Sequence, residues 1–417
     1  MNESDKINNF AITVGIAESG ADVEECERSL DELARLLDTA GGEVYARIIQ
    51  VKESLDPRTC IGSGKVKEIS EICAAGEVGL VIFDLELSPA QIRNLENDIG
   101  NGVSVIDRSM LILDIFALHA VSGEGKLQVE LAQLRYSAPR LMGHGTEMSR
   151  LGGGIGTRGP GESKLESDRR HMKEKVVTLE RRLAELEHNR SVMRSQRDRS
   201  GLVKIALVGY TNAGKSTLLN TLTGSDVLSE NKLFATLDPT TRKMELPKGE
   251  TVLITDTVGF IRKLPHHLVK AFKSTLDEVV YSDILLIVSD VNDSEMEEHI
   301  KVTESVIAEL GASDKPVIFV YNKCDLYSGT LIKSPNGVFV SGVTGEGICD
   351  LLSAIESEIG RFKKKYRLLI PYTEQHKINA LYNAYSVENV EYSDEGIFVD
   401  VVLDERGKGL YRSYVIS

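Results

Sequence analysis

Along this chain, short apolar runs alternate with stretches whose apolar residues recur every three or four positions, the pattern of α/β units. In the first hundred residues the spacing predicts a strand over 42–51, a helix over 64–75, a buried strand over 79–83, a helix over 88–99 and a short strand over 103–106. Ser88 is the expected cap of the second helix, with Pro89 at its first position. A long helical stretch starts near Arg108 and carries Leu127, Leu131 and Leu134 at helical spacing. Leu165, Met172, Val176, Leu179, Leu183 and Leu186 then form an a/d seam. The two stretches predict an antiparallel helical hairpin whose tip is the glycine-rich segment 143–163.

From residue 201 the pattern becomes strand–loop–helix repeats, with five apolar runs and a last helix ending near 365. Such repeats predict a parallel sheet with helices on both faces. Residues 366–417 offer LLIPY, GIFVDVVL and LYRSYVIS as strands of a small α/β appendage. The expected organisation is multidomain α/β. An N-terminal α/β domain (1–107) leads into a helical hairpin with a basic glycine-rich loop (108–200), a nucleotide-binding domain (201–365) and a small C-terminal domain (366–417).

Composition narrows the setting. The 417 residues are 41% hydrophobic and 27% charged, values of a globular chain. No apolar run approaches the ~20 residues of a membrane-spanning helix, and the polar N-terminus lacks the order of a signal peptide. Five scattered cysteines without a Cys-x-x-Cys pair fit a reducing cytosol, and a peripheral membrane contact stays open. Net charge is −14, yet residues 126–199 hold 16 Lys+Arg against 10 Asp+Glu, a local +6 that leaves −20 elsewhere. Local potential steers a polyanion more than the total does.

The chemistry begins at Gly209-Tyr210-Thr211-Asn212-Ala213-Gly214-Lys215-Ser216, which satisfies G-x-x-x-x-G-K-[ST] between a buried strand and a helix. There, backbone N–H groups and the helix N-terminus can cradle phosphates, Lys215 can reach the β- and γ-phosphates, and Ser216 can ligate Mg²⁺. Asp256-Thr257-Val258-Gly259 ends the next buried run, where an Asp can hold magnesium through water and the Gly259 N–H can face the γ-phosphate. Asn322-Lys323-Cys324-Asp325 follows a further run. The Asp325 carboxylate can accept from guanine N1–H and its amino group, a donor pair adenine lacks, so GTP is expected over ATP. Ser341-Gly342-Val343 falls where a backbone contact to the base is expected.

Phe234-Ala235-Thr236-Leu237-Asp238, followed by Thr240 and Thr241, is the candidate switch segment. Thr236, Thr240 and Thr241 all qualify as the second magnesium ligand. The residue after Gly259 is Phe260, where many GTPases place a water-orienting glutamine, so unassisted hydrolysis should be slow and a partner or cation must complete the site. Asn212 is a candidate ligand for a potassium ion in that role, with a purely loop-stabilising asparagine as the alternative. Gly154-x-Gly156-x-x-Gly159 resembles a dinucleotide fingerprint, but no buried strand precedes it and Pro160 follows.

At the glycine-rich tip, Arg150, Arg158, Lys164, Arg169 and Arg170 surround a backbone with few apolar residues, which suits phosphate and shape recognition of folded RNA. A solvated charged face is the alternative. Two other classes stay open: an ATP-driven RNA-remodelling enzyme with a second nucleotide site in the N-terminal domain, and a GTP-switched module that recruits a protein without touching RNA.

These motifs in sequence resemble the HflX family of ribosome-associated GTPases. GYTNAGKS, FATLDPT, DTVGF and NKCD match its GTPase domain, GGGIGTRGPGESKLESDRR its glycine-rich loop, and ELSPAQIRNLE and VIDRSMLILDIFALHA its N-terminal part. The resemblance implies GTP hydrolysis stimulated by the large ribosomal subunit, splitting of stalled ribosomes under stress, and contact with ribosomal RNA. It also implies Thr236 beside Ser216 on magnesium. The expected partners are GTP and GDP, the large subunit and its RNA, and the expected state is a monomer in the cytoplasm.

Overall fold

The computed structural model describes residues 9–100, 102–141, 160–199, 202–224, 233–234, 237–263, 273–329, 337–362, 364–403 and 405–416. The N-terminal unit runs β1 (Phe10–Ala17), α1 (Val23–Thr39), β2 (Glu43–Val51), α2 (Ser63–Gly76), β3 (Leu80–Phe83), α3 (Pro89–Ile99) and β4 (Ser104–Asp107). Its parallel sheet has the order β2-β1-β3-β4. Every element predicted here is present, with ends moved by a residue. Ser88 caps α3 as expected, in a reciprocal box in which its hydroxyl accepts from Gln91 N–H (3.3 Å) and Gln91 Oε1 accepts from Ser88 N–H (2.9 Å). The spacing argument passed over β1 and α1, although β1 is an inner strand of the sheet. β1 is buried over most of its length and so lacks the polar alternation that marks a strand.

The long helix expected from Arg108 is two helices, α4 (Arg108–His119) and α5 (Gly123–Leu141). α4 is apolar through most of its middle and sunk into the core, with Asp107 capping it through Met110 N–H (2.9 Å). The chain then breaks at Ala120, and Ser122 restarts it by accepting from Gly125 N–H (2.8 Å). α6 (Pro160–Arg199) returns antiparallel, as the seam predicts. Met172, Val176, Leu179, Leu183 and Leu186 are its sheltered positions among exposed neighbours, and Arg135–Glu180 (2.6 Å), Lys175–Glu130 (2.6 Å) and Arg190–Glu124 (2.7 Å) cross the hairpin. The glycine-rich stretch up to 159, with Arg150 and Arg158, lies outside the described residues, and Leu165 outside the described side chains.

The third unit comprises β5 (Val203–Gly209), α7 (Lys215–Thr223), β6 (Thr240–Glu245), β7 (Thr251–Asp256), α8 (Lys273–Tyr281), β8 (Ile284–Asp290), α9 (Met296–Glu309), β9 (Val317–Asn322), β10 (Gly337–Phe339) and α10 (Ile348–Phe362). Sheet order is β10-β9-β8-β5-β7-β6. Five strands are parallel, as expected; β6 is a sixth, antiparallel to β7, and its largely polar sequence hid it. One face of the sheet packs on α7 and α10 through Leu218, Leu351 and Ile355. The other packs on α8 and α9, and its core continues into the N-terminal unit through Leu33, Leu36 and Phe116.

The C-terminal unit holds β11 (Lys364–Ile370), α11 (His376–Ala384), β12 (Ser386–Ser393), β13 (Gly396–Leu403) and α12 (Glu405–Leu410), an antiparallel sheet of order β11-β13-β12. β11 starts inside the helix end expected near 365. LYRSYVIS is a correction: it forms the end of α12 and a 3₁₀ turn at Arg412–Tyr414, with a single bridge between Leu368 and Val415. The third strand is the polar SVENVEYS, whose Glu388 and Glu391 pair with Lys365 and Arg367 on β11.

Candidate functional site

The site gathers at the C-terminal ends of β5, β7, β8 and β9, the position such sheets use for ligands. β5 delivers the loop 209–216 onto the N-terminus of α7. Gly214 has φ +89°, and a Cβ there would lie 2.2 Å from Asn322 Nδ2, so only glycine fits. Lys215 is buried, and its ammonium donates to the carbonyls of Gly209 (3.1 Å) and Tyr210 (2.9 Å). Burial brings its pKa down to about 8 against an opposing pull from Asp256.

The Ser216 hydroxyl donates to Asp256 Oδ2 at 2.6 Å, and Asp256 is fully buried at the end of β7. Two hard oxygens beside a phosphate cradle are the donor set Mg²⁺ takes alongside substrate phosphates. Among the described residues, no group of three or more His, Cys, Asp or Glu is placed to hold a metal by itself. Thr257 donates to Leu207 O (2.6 Å), tying this loop back to β5. A Cβ at Gly259 would lie 2.8 Å from Thr211 Cα and 3.0 Å from Lys215 Nζ, so the backbone here presses against the loop beside the ammonium. Phe260 is 1% exposed and its backbone bridges Tyr210. The ring is an anchor in the shared core, which gives a packing reason for an aromatic residue after Gly259.

Asn322 braces two loops: its Nδ2 donates to Ala213 O (2.9 Å) and its Oδ1 accepts from Gly342 N–H (3.0 Å). Lys323 adopts φ 63° and pairs with Asp290 (2.8 Å). Cys324, whose N–H donates to Val340 O (3.1 Å), is buried, which pushes its thiol pKa up, and Asp325 beside it is exposed. The Ser341 hydroxyl, fully buried, accepts from the N–H groups of Val343 (3.3 Å) and Thr344 (3.0 Å) and fixes the turn around Gly342. An open carboxylate framed by two braced loops suits a purine with adjacent N–H donors.

The switch segment is held by the N-terminal half of the molecule. Phe234 (φ 57°) packs edge-on against Phe116 of α4 at 4.7 Å, and Leu237 is 1% exposed. The Asp238 carboxylate accepts from Val121 N–H (3.1 Å), Ser122 N–H (2.7 Å) and the Ser122 hydroxyl, so it closes the start of α5. Thr240 and Thr241 lie on β6, and Thr241 Oγ1 is 2.9 Å from Thr255 Oγ1 within the sheet. Ala235 and Thr236 fall outside the described residues.

Asn212 is exposed at φ 60° on the wall of a cleft of about 180 Å³, which α1 lines from the opposite side with Glu32 and Arg35. On α6, Arg169 and Arg170 are exposed and Arg170 pairs with Glu174 (3.2 Å); the Lys164 side chain is outside the described ones. Motif reasoning missed a buried charge cluster between the units. Arg108, 2% exposed, holds Glu32 (2.7 Å) and Asp84 (2.7 Å). Burial opposes its charge and the two carboxylates outweigh that, so its pKa is held above the ordinary value. A charged residue opening a helix carries no sequence mark of burial, so spacing had nothing to find.

The fold and these loops together define a P-loop GTPase. Residues 27–117 match the family described as GTP-binding GTPase N-terminal, 119–197 that described as GTP-binding GTPase Middle Region, and 204–323 that described as 50S ribosome-binding GTPase. The chain is 47% identical over 417 residues to GTPase HflX of Caldanaerobacter subterraneus subsp. tengcongensis, covering 100% of this chain and 96% of the relative. With GTPase HflX of Escherichia coli it shares 41% over 375 residues, 88% and 87% of the two chains. A GTP-binding protein from Sulfolobus solfataricus, solved with GDP, aligns with TM-score 0.43 and 26% identity over 84% of this chain and 99% of that one. The chain belongs to the HflX family of GTPases, and it binds and hydrolyses GTP.

Proposed function

We propose that this GTPase is Mg²⁺-dependent, acts in the cytoplasm as a monomer, binds the large ribosomal subunit, and uses its nucleotide state to control that binding in the splitting or rescue of stalled ribosomes. The observation that carries the reading is the clamp of Asp238 on the start of α5. It joins the switch segment to the hairpin whose sequence holds the basic glycine-rich loop. The family's name for residues 204–323 supports the same partner.

In this reading, amides of 209–216 cradle the phosphates, Lys215 neutralises the γ-phosphate and the Gly259 N–H faces it. Ser216 and Thr236 would hold Mg²⁺, which supplies charge stabilisation as phosphoryl transfer proceeds without a covalent intermediate. Asp325 selects guanine, with Asn322, Lys323 and the Ser341–Val343 turn shaping its pocket. Asn212 is the proposed ligand of a K⁺ ion at the reacting phosphate, in the place where a glutamine is lacking. Among the described residues, no helix is long and apolar enough to cross a membrane.

Binding to isolated large subunits, followed across salt concentrations, tests the RNA contact. Phosphate contacts release counterions, so replacing Arg150, Arg158 and Arg169 together by Gln should flatten the slope of log K against log salt by roughly 2–3. An unchanged affinity and slope would show that protein, not RNA, is what the loop meets.

A further inference from the structure

The two residues that follow Asp256–Ile261 are gripped from several sides. Arg262 N–H donates to the Tyr210 hydroxyl (2.6 Å), and the Arg262 carbonyl accepts from Arg108 Nη2 (3.1 Å). The Arg262 guanidinium pairs with Glu295 (2.8 Å) and Glu298 (2.5 Å), and the Lys263 ammonium with Asp84 (2.9 Å). Tyr210 belongs to the phosphate loop; its ring stacks on His299 with centroids 3.6 Å apart, and its hydroxyl donates to Glu32 (2.5 Å). Glu32 in turn accepts from Arg108 (2.7 Å). The bonds close a circuit from the phosphate loop through α1 and α4 to the segment after Gly259 and back.

Gly259 lies three residues before Arg262. Immediately after it, Phe260 N–H donates to Gly209 O (3.1 Å) and its carbonyl accepts from Thr211 N–H (2.8 Å). Two residues further on, Tyr210 and Arg108 hold the peptides on either side of Arg262. Arg108 engages two carboxylates and a carbonyl at once, which needs the planar fork of a guanidinium; a lysine cannot span them.

We propose that Arg108, which opens α4 outside the nucleotide-binding unit, is a positioning residue for GTP hydrolysis. It holds the Arg262 carbonyl directly and the phosphate loop through Glu32 and Tyr210, so that the Gly259 amide stays aimed at the γ-phosphate. The proposal rests on the reading of Gly259 as the amide that faces that phosphate. A misplacement of about 1 Å at a reacting group can lower a rate ~10²-fold.

The test is steady-state GTP hydrolysis by the full chain, with GDP affinity and thermal melting measured on the same samples. Arg108→Lys keeps the positive charge between Glu32 and Asp84 but loses the fork. Tyr210→Phe removes only the hydroxyl and keeps the ring on His299, so it reports even where the first variant folds poorly. Both are expected to lower kcat about 10- to 100-fold with KM for GTP and affinity for GDP within about 3-fold of wild type. Wild-type or faster hydrolysis in folded Tyr210→Phe would overturn the proposal, as would losses of kcat and GDP affinity that merely follow the unfolded fraction. Gly259→Ala is the control: if it hydrolyses GTP at the wild-type rate, the reading of Gly259 fails and takes the proposal with it.

Discussion

Lys215, the proposed phosphate ligand, is already short of water, with its ammonium turned onto two carbonyls and burial bringing its pKa down to about 8. The folded value is below the ordinary 10.5, so the nucleotide-free protein loses this proton as pH rises through about 8. In the proposed role, GTP needs the ammonium. Its affinity should therefore fall above pH 8, by up to tenfold per pH unit, while Lys215→Met binds weakly with no such dependence; isothermal titration across pH 7–10 checks this. By the same linkage, the empty fold gains stability from Lys215 between pH 8 and 10.5, because the unfolded chain binds the proton more tightly there. At the base, Asp325 is exposed beside the braced Asn322. Asp325→Asn replaces a carboxylate acceptor by an amide, so GTP affinity should drop about 100-fold, from two charge-assisted bonds lost. Competition binding should then show xanthine nucleotides, which offer an acceptor in place of the amino group, displacing GTP. A variant that still prefers GTP would remove Asp325 from the guanine pocket.

Among the elements, the start of α5 joins the candidate switch segment and the hairpin most directly. The two N–H groups just before it, of Val121 and Ser122, are satisfied by Asp238 from another unit, and a Cβ at Gly125 would lie 2.6 Å from Asp238 Oδ1. Asp238→Ala should cost about 1 kcal/mol, as cap losses do, and should raise amide hydrogen exchange over residues 121–130 while leaving β5 unchanged. Equal exchange in variant and wild type would mean that the clamp does not hold the helix. This contact marks where sequence stops being legible. That the loops 209–216, 256–259 and 322–325 meet at the strand ends was legible, because the chemistry proposed for them demands fixed residue types at fixed spacing. The α6 seam was readable because apolar periodicity reports burial. β1 and β6 were missed for opposite reasons, one apolar almost throughout and the other largely polar at an edge. The break between α4 and α5 was missed because it depends on a cap that accepts from, and is closed by, residues more than a hundred positions apart. Buried Arg108 was missed because charge in a core is visible only once its partners are.

At the scale of the whole molecule, charge and connectivity point one way. The chain is acidic at −14, and its basic stretch belongs to the hairpin and its tip. That hairpin is bonded to the switch segment, and the switch segment is packed into a core shared by the N-terminal and nucleotide-binding units. A nucleotide-driven movement of Phe234, Leu237 or Asp238 would therefore be felt at the hairpin's base. Phe260, sealed in that shared core, offers no hydrogen bond to a water, so the isolated protein should turn over GTP slowly until a partner or a cation completes the site. The measurement that bears most directly on this is GTP turnover by the purified chain alone, with small ribosomal subunits and with large ones. Strong stimulation by large subunits, and little by small ones, is the expected result. Rapid turnover by the chain alone, or a rate indifferent to large subunits, would contradict the account.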